Sequence, residues 1–288
     1  MLTQLIHIVM VVPDLRLCQA FYGTTLNLPD SGGGIDSRGQ NYRKYLVGYS
    51  ELILVEDSSA IPYSRLVRNT RTEVDHYALY VEDIETVFEA LQQRGIVFQD
   101  KPHKTELGHR NMQRSLVSFK DPNGFTLQLS QTVDLRPQLA PRKEAKRAMA
   151  NLSSMEISTF GGIDHVSSYC TNFKTNRKLY RDILKLNEFF YSTVREDGVR
   201  VTTGFEQGAF AIGGTDIELA SDDEWQQIVP GPIRGLGFRT DQIENVAMAL
   251  RYSTVSFEET PSDNTSFHPG RNALVVSSPD GMQLQIVQ

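Results

Sequence analysis

The sequence is poor in cysteine, and this argues against a disulfide-stapled protein. Only two cysteines, Cys18 and Cys170, occur in 288 residues. Small secreted domains depend on several bridges at regular spacings, whereas these two residues occupy non-equivalent places in the repeat described below. We therefore interpret both as reduced thiols of a hydrophobic core.

The sequence also lacks an excess of basic charge and any long apolar run. Lys and Arg number 29 against 35 Asp and Glu, which gives a formal net charge of −6. A nucleic-acid-binding surface needs concentrated positive charge, and a membrane-spanning helix needs about 18 consecutive apolar residues. Neither is present, and the first residues do not have the pattern of a secretory signal. We expect a cytoplasmic globular protein that binds neither nucleic acid nor membrane.

What the sequence does contain is a repeat. Residues 5–28 predict a buried strand with one histidine, a Pro-Asp turn and an amphipathic helix. The same pattern returns 158 residues later, where His165 corresponds to His7 and Tyr180 corresponds to Tyr22. Both tyrosines are interpreted as helix-packing residues.

Two weaker copies of the opening complete the pattern. One begins near residue 75 and has His76 in the histidine position, and the other begins near residue 234 and has Gly235 there. Repeats of this length indicate supersecondary modules that bury a shared core, so the chain is predicted to contain four of them.

Each module is predicted to contain one strand, one helix and three further strands. Residues 96–100 are predicted to be a strand of the second module, followed by a polar loop. Asn123-Gly124 favours a hairpin turn because both residues tolerate positive φ. Residues 132–158 lack strand alternation and are predicted to be a linker. The expected organisation is a first domain over 1–131, the linker over 132–158 and a second domain over 159–288, with modules one and two paired and three and four paired.

The motifs are similar to those of the vicinal oxygen chelate superfamily. This group includes glyoxalase I, fosfomycin and bleomycin resistance proteins and extradiol dioxygenases. The resemblance rests on H-x-x-x-x-V-x-D-L at 7–15, the F-Y pair in the following helix, and D-P-N-G-x-x-L-x-L at 121–129. It implies an α+β fold in which four βαβββ modules pair into two tandem domains, each with a curved sheet around a metal-binding cleft.

The resemblance also implies a set of metal ligands. The first-strand positions hold His7 and His76, and the last strand of module two holds Gln128, while Leu54 occupies the corresponding position of module one. Two imidazoles and one oxygen donor suit non-haem Fe(II) or Mn(II). Since Gln supplies no charge, such a site should hold a divalent cation less tightly than a site with Glu.

A second, less favoured set lies in the other half. It consists of His165, Glu218 and Gln285, with a gap at Gly235. In the extradiol dioxygenases the active metal usually lies in the second domain, but the histidines of this chain favour the first.

Two further residues are candidates for catalysis. His109 lies in a loop that resembles the histidine loop of extradiol enzymes, where it would contact bound oxygen or substrate and move protons. Its alternative interpretation is an exposed polar hairpin tip. Tyr80 follows His76 along one strand and lines either the cleft or the core.

Two classes of function remain open. The first is a metal-dependent enzyme on a small aromatic or enediolate-like substrate, most simply an extradiol dioxygenase-like oxidoreductase. The second is a metal-free small-molecule-binding protein, or a glyoxalase-like lyase or isomerase that uses the same cleft. The expected partner is a small-molecule substrate, and the sequence leaves a homo-oligomer open.

Overall fold

The structure is a computed structural model of the chain. It describes residues 2–65, 71–106, 112–134, 160–193, 204–222, 228–260, 267–268 and 271–288. Most of the predicted linker lies outside these residues, and its first three residues, 132–134, continue a strand. No helix in the described part of the chain is long and apolar enough to cross a membrane.

The first half of the chain contains two modules. The first is β1 (Leu2–Val12), α1 (Leu15–Gln19, continued as a π-helix over Ala20–Thr25), β2 (Asp30–Ile35), β3 (Asn41–Val47) and β4 (Ser50–Glu56). After a 3-10 helix (Tyr63–Arg65) and a short strand β5 (Arg71–Thr72), the second is β6 (Val74–Tyr80), α2 (Ile84–Gln93), β7 (His103–Glu106), β8 (Met112–Lys120) and β9 (Thr126–Asp134).

The second half repeats this order. Its first module is β10 (Gly162–Tyr169), α3 (Phe173–Arg177, continued as a π-helix over Lys178–Ile183), β11 (Asn187–Ser192), β12 (Glu206–Ile212) and β13 (Thr215–Ser221). After the short strand β14 (Ile228–Val229), the last module is β15 (Ile233–Thr240), α4 (Ile243–Tyr252), β16 (Phe257–Thr260), β17 (Ala273–Ser277) and β18 (Gln283–Val287).

One predicted strand is wrong. Residues 96–100 form only an isolated bridge, between Phe98 and Phe119, and the strand that pairs with β8 is β7, inside the segment predicted as a loop. Gly95 has φ 89° and ends α2 just before this segment. The apolar residues there pack against the helix instead of joining the sheet, as shown by Phe98 and Phe88 with ring centroids 4.6 Å apart.

The repeat holds at the level of helix ends. The side chains of Asp14 and Asn172, which are 158 residues apart, both accept a hydrogen bond from a backbone N–H of the first turn. Both helices then widen into a π turn and end at a residue with positive φ, Asn27 at 56° and Lys185 at 59°. Such detail would not recur in unrelated helices, so the predicted internal repeat is confirmed.

The pairing of the modules differs from the prediction. The first sheet has eight strands in the order β16-β17-β18-β15-β1-β4-β3-β2. The second sheet has eight strands in the order β11-β12-β13-β10-β6-β9-β8-β7. Module one therefore pairs with module four, and module two pairs with module three. At the centre of each sheet two first strands meet antiparallel, β1 with β15 and β6 with β10.

The two sheets share one continuous hydrophobic core, with residues from all four modules. Local sequence does not decide the pairing, because all four first strands are short buried runs that can pair along either edge. The expected sheets within 1–131 and within 159–288 are consequently wrong, although the modules themselves are confirmed.

The turns that close modules two and four connect each sheet to a helix of the neighbouring module. Asp121 accepts a hydrogen bond from Tyr22 of α1 (3.2 Å), and Asp280 accepts one from Asn176 of α3 (2.7 Å). Asp121 is buried, and its Oδ1 also accepts the backbone N–H groups of Asn123 and Phe125. These contacts hold together modules that do not share a sheet.

Asp121 should make stability depend on pH. Burial raises its pKa to about 6, although its hydrogen bonds oppose the shift. Between about pH 4 and pH 6 the folded state therefore binds more protons than the unfolded state, and stability is lost as pH rises through this window. Relative to Asp121→Asn, wild type should lose about 2 kcal/mol of unfolding free energy between pH 4 and pH 7. Urea unfolding at several pH values measures this, and a constant difference between the two proteins would contradict it.

The pairing of modules one and four can be tested at one contact. His7 of β1 lies opposite Gly237 of β15, and a Cβ added to Gly237 would clash with the His7 ring. Gly237→Ala should destabilise the protein by about 1–3 kcal/mol, because the ring must move. In a His7→Ala background the same change should be nearly neutral, giving a coupling of at least about 0.5 kcal/mol in a double-mutant cycle. Additive effects would argue against this pairing.

Candidate functional site

Four polar side chains share one face at the centre of the second sheet. In the strand register, Ser167 lies between His76 and Glu218, and Ala78 lies between His165 and Gln128. Directly opposed residues of neighbouring strands project to the same face, so all four side chains point into one cleft. We call these residues, listed here once, the His76–His165 site: His76, Gln128, His165 and Glu218.

The two histidines face each other. The Nε2 atoms of His76 and His165 are 3.1 Å apart, and the rings are nearly perpendicular, at 87°. His165 is fully buried, and the His76 side chain is 14% exposed. The site is thus accessible to solvent on the His76 side.

The other ring nitrogen of each histidine contacts a carboxylate. His76 Nδ1 is 2.8 Å from Asp75, and His165 Nδ1 is 2.9 Å from Asp164. Burial alone would raise the pKa of Asp75, but its hydrogen bond and charge interaction with His76 lower it. An ionised carboxylate only accepts hydrogen bonds, so each Nδ1 is a donor, and two neutral rings would direct both Nε2 lone pairs toward the same point.

Glu218 is held by a buried arginine. Arg114 Nη1 donates to Glu218 Oε1 at 2.7 Å, while the same guanidinium lies 3.4 Å from Asp216 and 3.5 Å from Asp164. Burial by itself would raise the pKa of Glu218, but the charge of His165 in its protonated form and the charge and hydrogen bond of Arg114 lower it. Glu218 is therefore ionised at neutral pH.

Gln128 completes the group with an unused acceptor. Its Oε1 is buried and has no hydrogen-bond partner among the described residues. A buried carbonyl oxygen without a donor is costly, and such groups often mark the position of a water or an ion.

The corresponding cleft of the first sheet is different. His7 lies over Gly237, and its Nδ1 is 2.7 Å from Nε2 of His268, with the two rings stacked at 4.8 Å. Beside them Lys44 forms an ion pair with Glu51 at 3.3 Å. Burial, with the nearby charges of His268 and Lys44, lowers the pKa of His7 well below its usual value. These polar groups satisfy one another.

The first cleft has lost the equivalents of two donors. Glu218 lies two residues beyond the partner of His165, and the residue two beyond the partner of His7 is Ile53, which is fully buried. Ile53, rather than the predicted Leu54, therefore occupies that position. Gly235 stands where the second sheet has His76.

The structure thus divides the predicted ligand sets between two sheets. His76 and Gln128 of the first set join His165 and Glu218 of the second set, whereas His7 and Gln285 lie in the other sheet. Tyr80 is partly buried, two residues beyond Ala78 on the same strand face. His109 lies outside the described residues.

Sequence reasoning missed Asp75, Asp164, Arg114 and His268. A signal for the first two is present, because Asp immediately precedes His at 75–76 and at 164–165, whereas Ile precedes His7. No local pattern marks Arg114, since its partners come from a module more than 40 residues away.

No set of three or more His, Cys, Asp and Glu residues in the described ranges is arranged as a complete metal site.

Comparison with known proteins supports the fold. Glyoxalase I from Zea mays is similar with a TM-score of 0.64 at 14% identity, covering 99% of this chain and 92% of that one. A Bacillus subtilis subsp. subtilis str. 168 protein described as a "putative dioxygenase" is similar with a TM-score of 0.66 at 15% identity, covering 99% of this chain and 85% of that one. At these identities the likeness establishes the fold alone. A search of curated protein sequences finds no match.

The sequence of the first half matches one protein family. Residues 4–129 match the Glyoxalase/Bleomycin resistance protein/Dioxygenase superfamily. The second half repeats the same order of strands and helices, and both halves contribute to two curved sheets. Residues 4–129 thus match the glyoxalase/bleomycin resistance protein/dioxygenase superfamily, and the fold of the second half repeats that of the first.

Proposed function

We propose that the His76–His165 site binds a divalent cation, Fe(II) or Mn(II), and that the protein is a metal-dependent, dioxygenase-like enzyme. The observation that carries this proposal is the approach of the two Nε2 atoms to 3.1 Å, while both Nδ1 atoms contact carboxylates. Two lone pairs so close repel each other unless a proton or a cation lies between them. His76 and His165 would hold a cation between their Nε2 atoms, which supply two neutral nitrogen donors.

The donor set is consistent with this class of metal. His76, His165 and Glu218 supply two imidazoles and one carboxylate, the combination typical of non-haem Fe(II) oxygenases. The unpartnered Oε1 of Gln128 supplies a fourth, neutral donor. Glu218 would bind through the oxygen that Arg114 leaves free or after a side-chain rotation.

When bound, the cation would hold two neighbouring oxygens of a small substrate and lower their pKa. The protein's own groups prepare that arrangement. Asp75 and Asp164 fix the tautomer and orientation of the histidines, a role that outer carboxylates commonly have at metal sites. Arg114 keeps Glu218 ionised, and partly buried Tyr80 is placed to contact substrate along the strand face.

Gln128 favours an oxygenase over a proton-transferring isomerase. An isomerase of the glyoxalase kind must remove and return a proton, which requires a basic side chain at the metal. The amide of Gln128 does not accept a proton at neutral pH, and the remaining carboxylate, Glu218, is paired with Arg114. An aromatic substrate with vicinal hydroxyls suits the site better, because its own acidic hydroxyls provide the reactive anion.

Metal binding can be tested with matched histidine variants. Replacing a residue that only hydrogen-bonds to a metal ligand usually costs about 10–100-fold in metal affinity. Removal of a ligand itself should cost more, so His76→Ala and His165→Ala should each weaken Mn(II) binding by at least about 100-fold. His7→Ala, in the other sheet, should leave the affinity unchanged. Calorimetry on tag-free protein purified without chelator measures all three. Equal affinities in all three variants would contradict the assignment.

The same proteins test the reaction. Protein loaded with Fe(II) under anaerobic conditions should consume oxygen when given simple catechols, with loss of the aromatic absorbance, and His76→Ala should not. If wild type binds the metal and instead isomerises an α-ketoaldehyde–thiol adduct without oxygen uptake, the glyoxalase-like alternative replaces this proposal.

Gln128 provides a test with a defined sign. Gln128→Glu should tighten Mn(II) binding, because it adds a negative charge directly at the cation, although desolvation of the carboxylate offsets part of the gain. Gln285→Glu, the equivalent change in the first sheet, is the matched control and should have no effect. Weaker binding by Gln128→Glu would mean that this side chain does not approach the metal.

A further inference from the structure

We propose that Arg114 is a positioning residue that competes with the bound cation for Glu218 and thereby limits how tightly the site holds a divalent metal. This inference rests on the proposed metal site. It concerns a residue that is neither a ligand nor exposed to substrate, since Arg114 is only 1% exposed.

Arg114 connects Glu218, a proposed ligand, to Asp164, the carboxylate that contacts the proposed ligand His165. Its Nη1 donates to Glu218 Oε1 at 2.7 Å, and its Nε lies 3.5 Å from Asp164, the partner of His165. Its Nη2 lies 3.4 Å from Asp216, which is opposite His165 in the strand register. One guanidinium from module two thus touches three carboxylates of module three.

The bond to Glu218 uses only one of its oxygens. Oε2 has no hydrogen bond to any described residue, and the Glu218 side chain is about 20% exposed. A guanidinium is a fixed positive charge with a rigid fork of donors. The guanidinium of Arg114 therefore fixes the orientation of the Glu218 carboxylate and leaves Oε2 free. Its positive charge also repels a cation bound nearby.

The first sheet lacks this arrangement. Ser118 is opposite Gln128 and Val275 is opposite Gln285, so the residue equivalent to Arg114 is Arg271, four positions before Val275. Arg271 is exposed, and Ile53 replaces Glu218 in that cleft. The buried arginine therefore occurs in the sheet that contains Glu218 and the His76–His165 pair.

The test is Mn(II) affinity, measured by calorimetry for tag-free wild type, Arg114→Gln, Arg114→Lys and the control Arg271→Gln. Arg114→Gln should tighten Mn(II) binding by about tenfold or more, because a competing positive charge is removed. Arg114→Lys should tighten it less, since the charge stays while the fork that holds Glu218 is lost. Arg271→Gln should match wild type.

A double-mutant cycle distinguishes this role from a structural one. In a Glu218→Gln background, Arg114→Gln should no longer tighten binding, because the competition is for Glu218. Folded Arg114→Gln with equal or weaker Mn(II) binding would overturn the proposal. Equal tightening with and without Glu218 would also overturn it.

Removal of a buried arginine leaves carboxylates short of a partner, so folding must be followed as well. If Arg114→Gln unfolds without metal and refolds when Mn(II) is added, the cation has replaced the guanidinium and the proposal stands. If it stays unfolded in both conditions, Arg114→Lys decides, and an unchanged affinity there overturns the proposal. No Mn(II) binding by wild type would refute the metal site itself, whereas binding that is unaffected by Arg114 variants would refute only the role of Arg114.

Discussion

The antiparallel pairing of β6 with β10 is the constraint on which the candidate site depends. His76 lies on one of these strands and His165 on the other, 89 residues apart in sequence. Their Nε2 atoms approach because the register places Ser167 opposite His76 and Ala78 opposite His165. A shift by one residue would turn these side chains to the other face of the sheet. The apolar core on that other face therefore fixes the geometry of the polar cleft.

The two clefts show how one architecture can support different chemistry. In the second sheet the donors at equivalent positions are two histidines, a glutamate and a glutamine, with carboxylates behind the imidazoles. In the first sheet Gly235 and Ile53 replace two of these donors, and His268 contacts His7 instead. The polar groups of the first cleft satisfy one another, whereas those of the second leave an acceptor of Gln128 unpaired. That difference, rather than the number of histidines, separates the two clefts.

Much of the fold could be predicted from the sequence because it is encoded locally. The strand and helix patterns within each repeated module depend on neighbours within a few positions. The pairing of modules could not be predicted, because all first strands present similar apolar edges. Because the pairing of the modules was predicted wrongly, His7 was placed in the same predicted ligand set as His76, and His165 was placed in a different set. Gly237 gave the only local hint, since a residue without a Cβ leaves room for the His7 ring.

The candidate site was predicted only in part for the same reason. Each residue of the candidate site except Glu218 belongs to a motif, and the resemblance suggested all four residues, but in two different groups. Arg114 belongs to no motif, because its role comes from carboxylates that only the folded sheet brings close.

The pairing of module one with module four, and of module two with module three, also affects the order in which the sheets can form during synthesis. Modules two and three are neighbours in sequence, so the sheet that contains β6 and β10 can close before the last module is synthesised. Strand β1 pairs with β15, which lies more than 220 residues further along the chain. Until β15 is synthesised, the edge of β1 that pairs with it has no partner. Contacts over such distances are slow to form, and unpaired strand edges tend to associate with one another. The sheet with His76 and His165 is thus the one that the nascent chain can complete first.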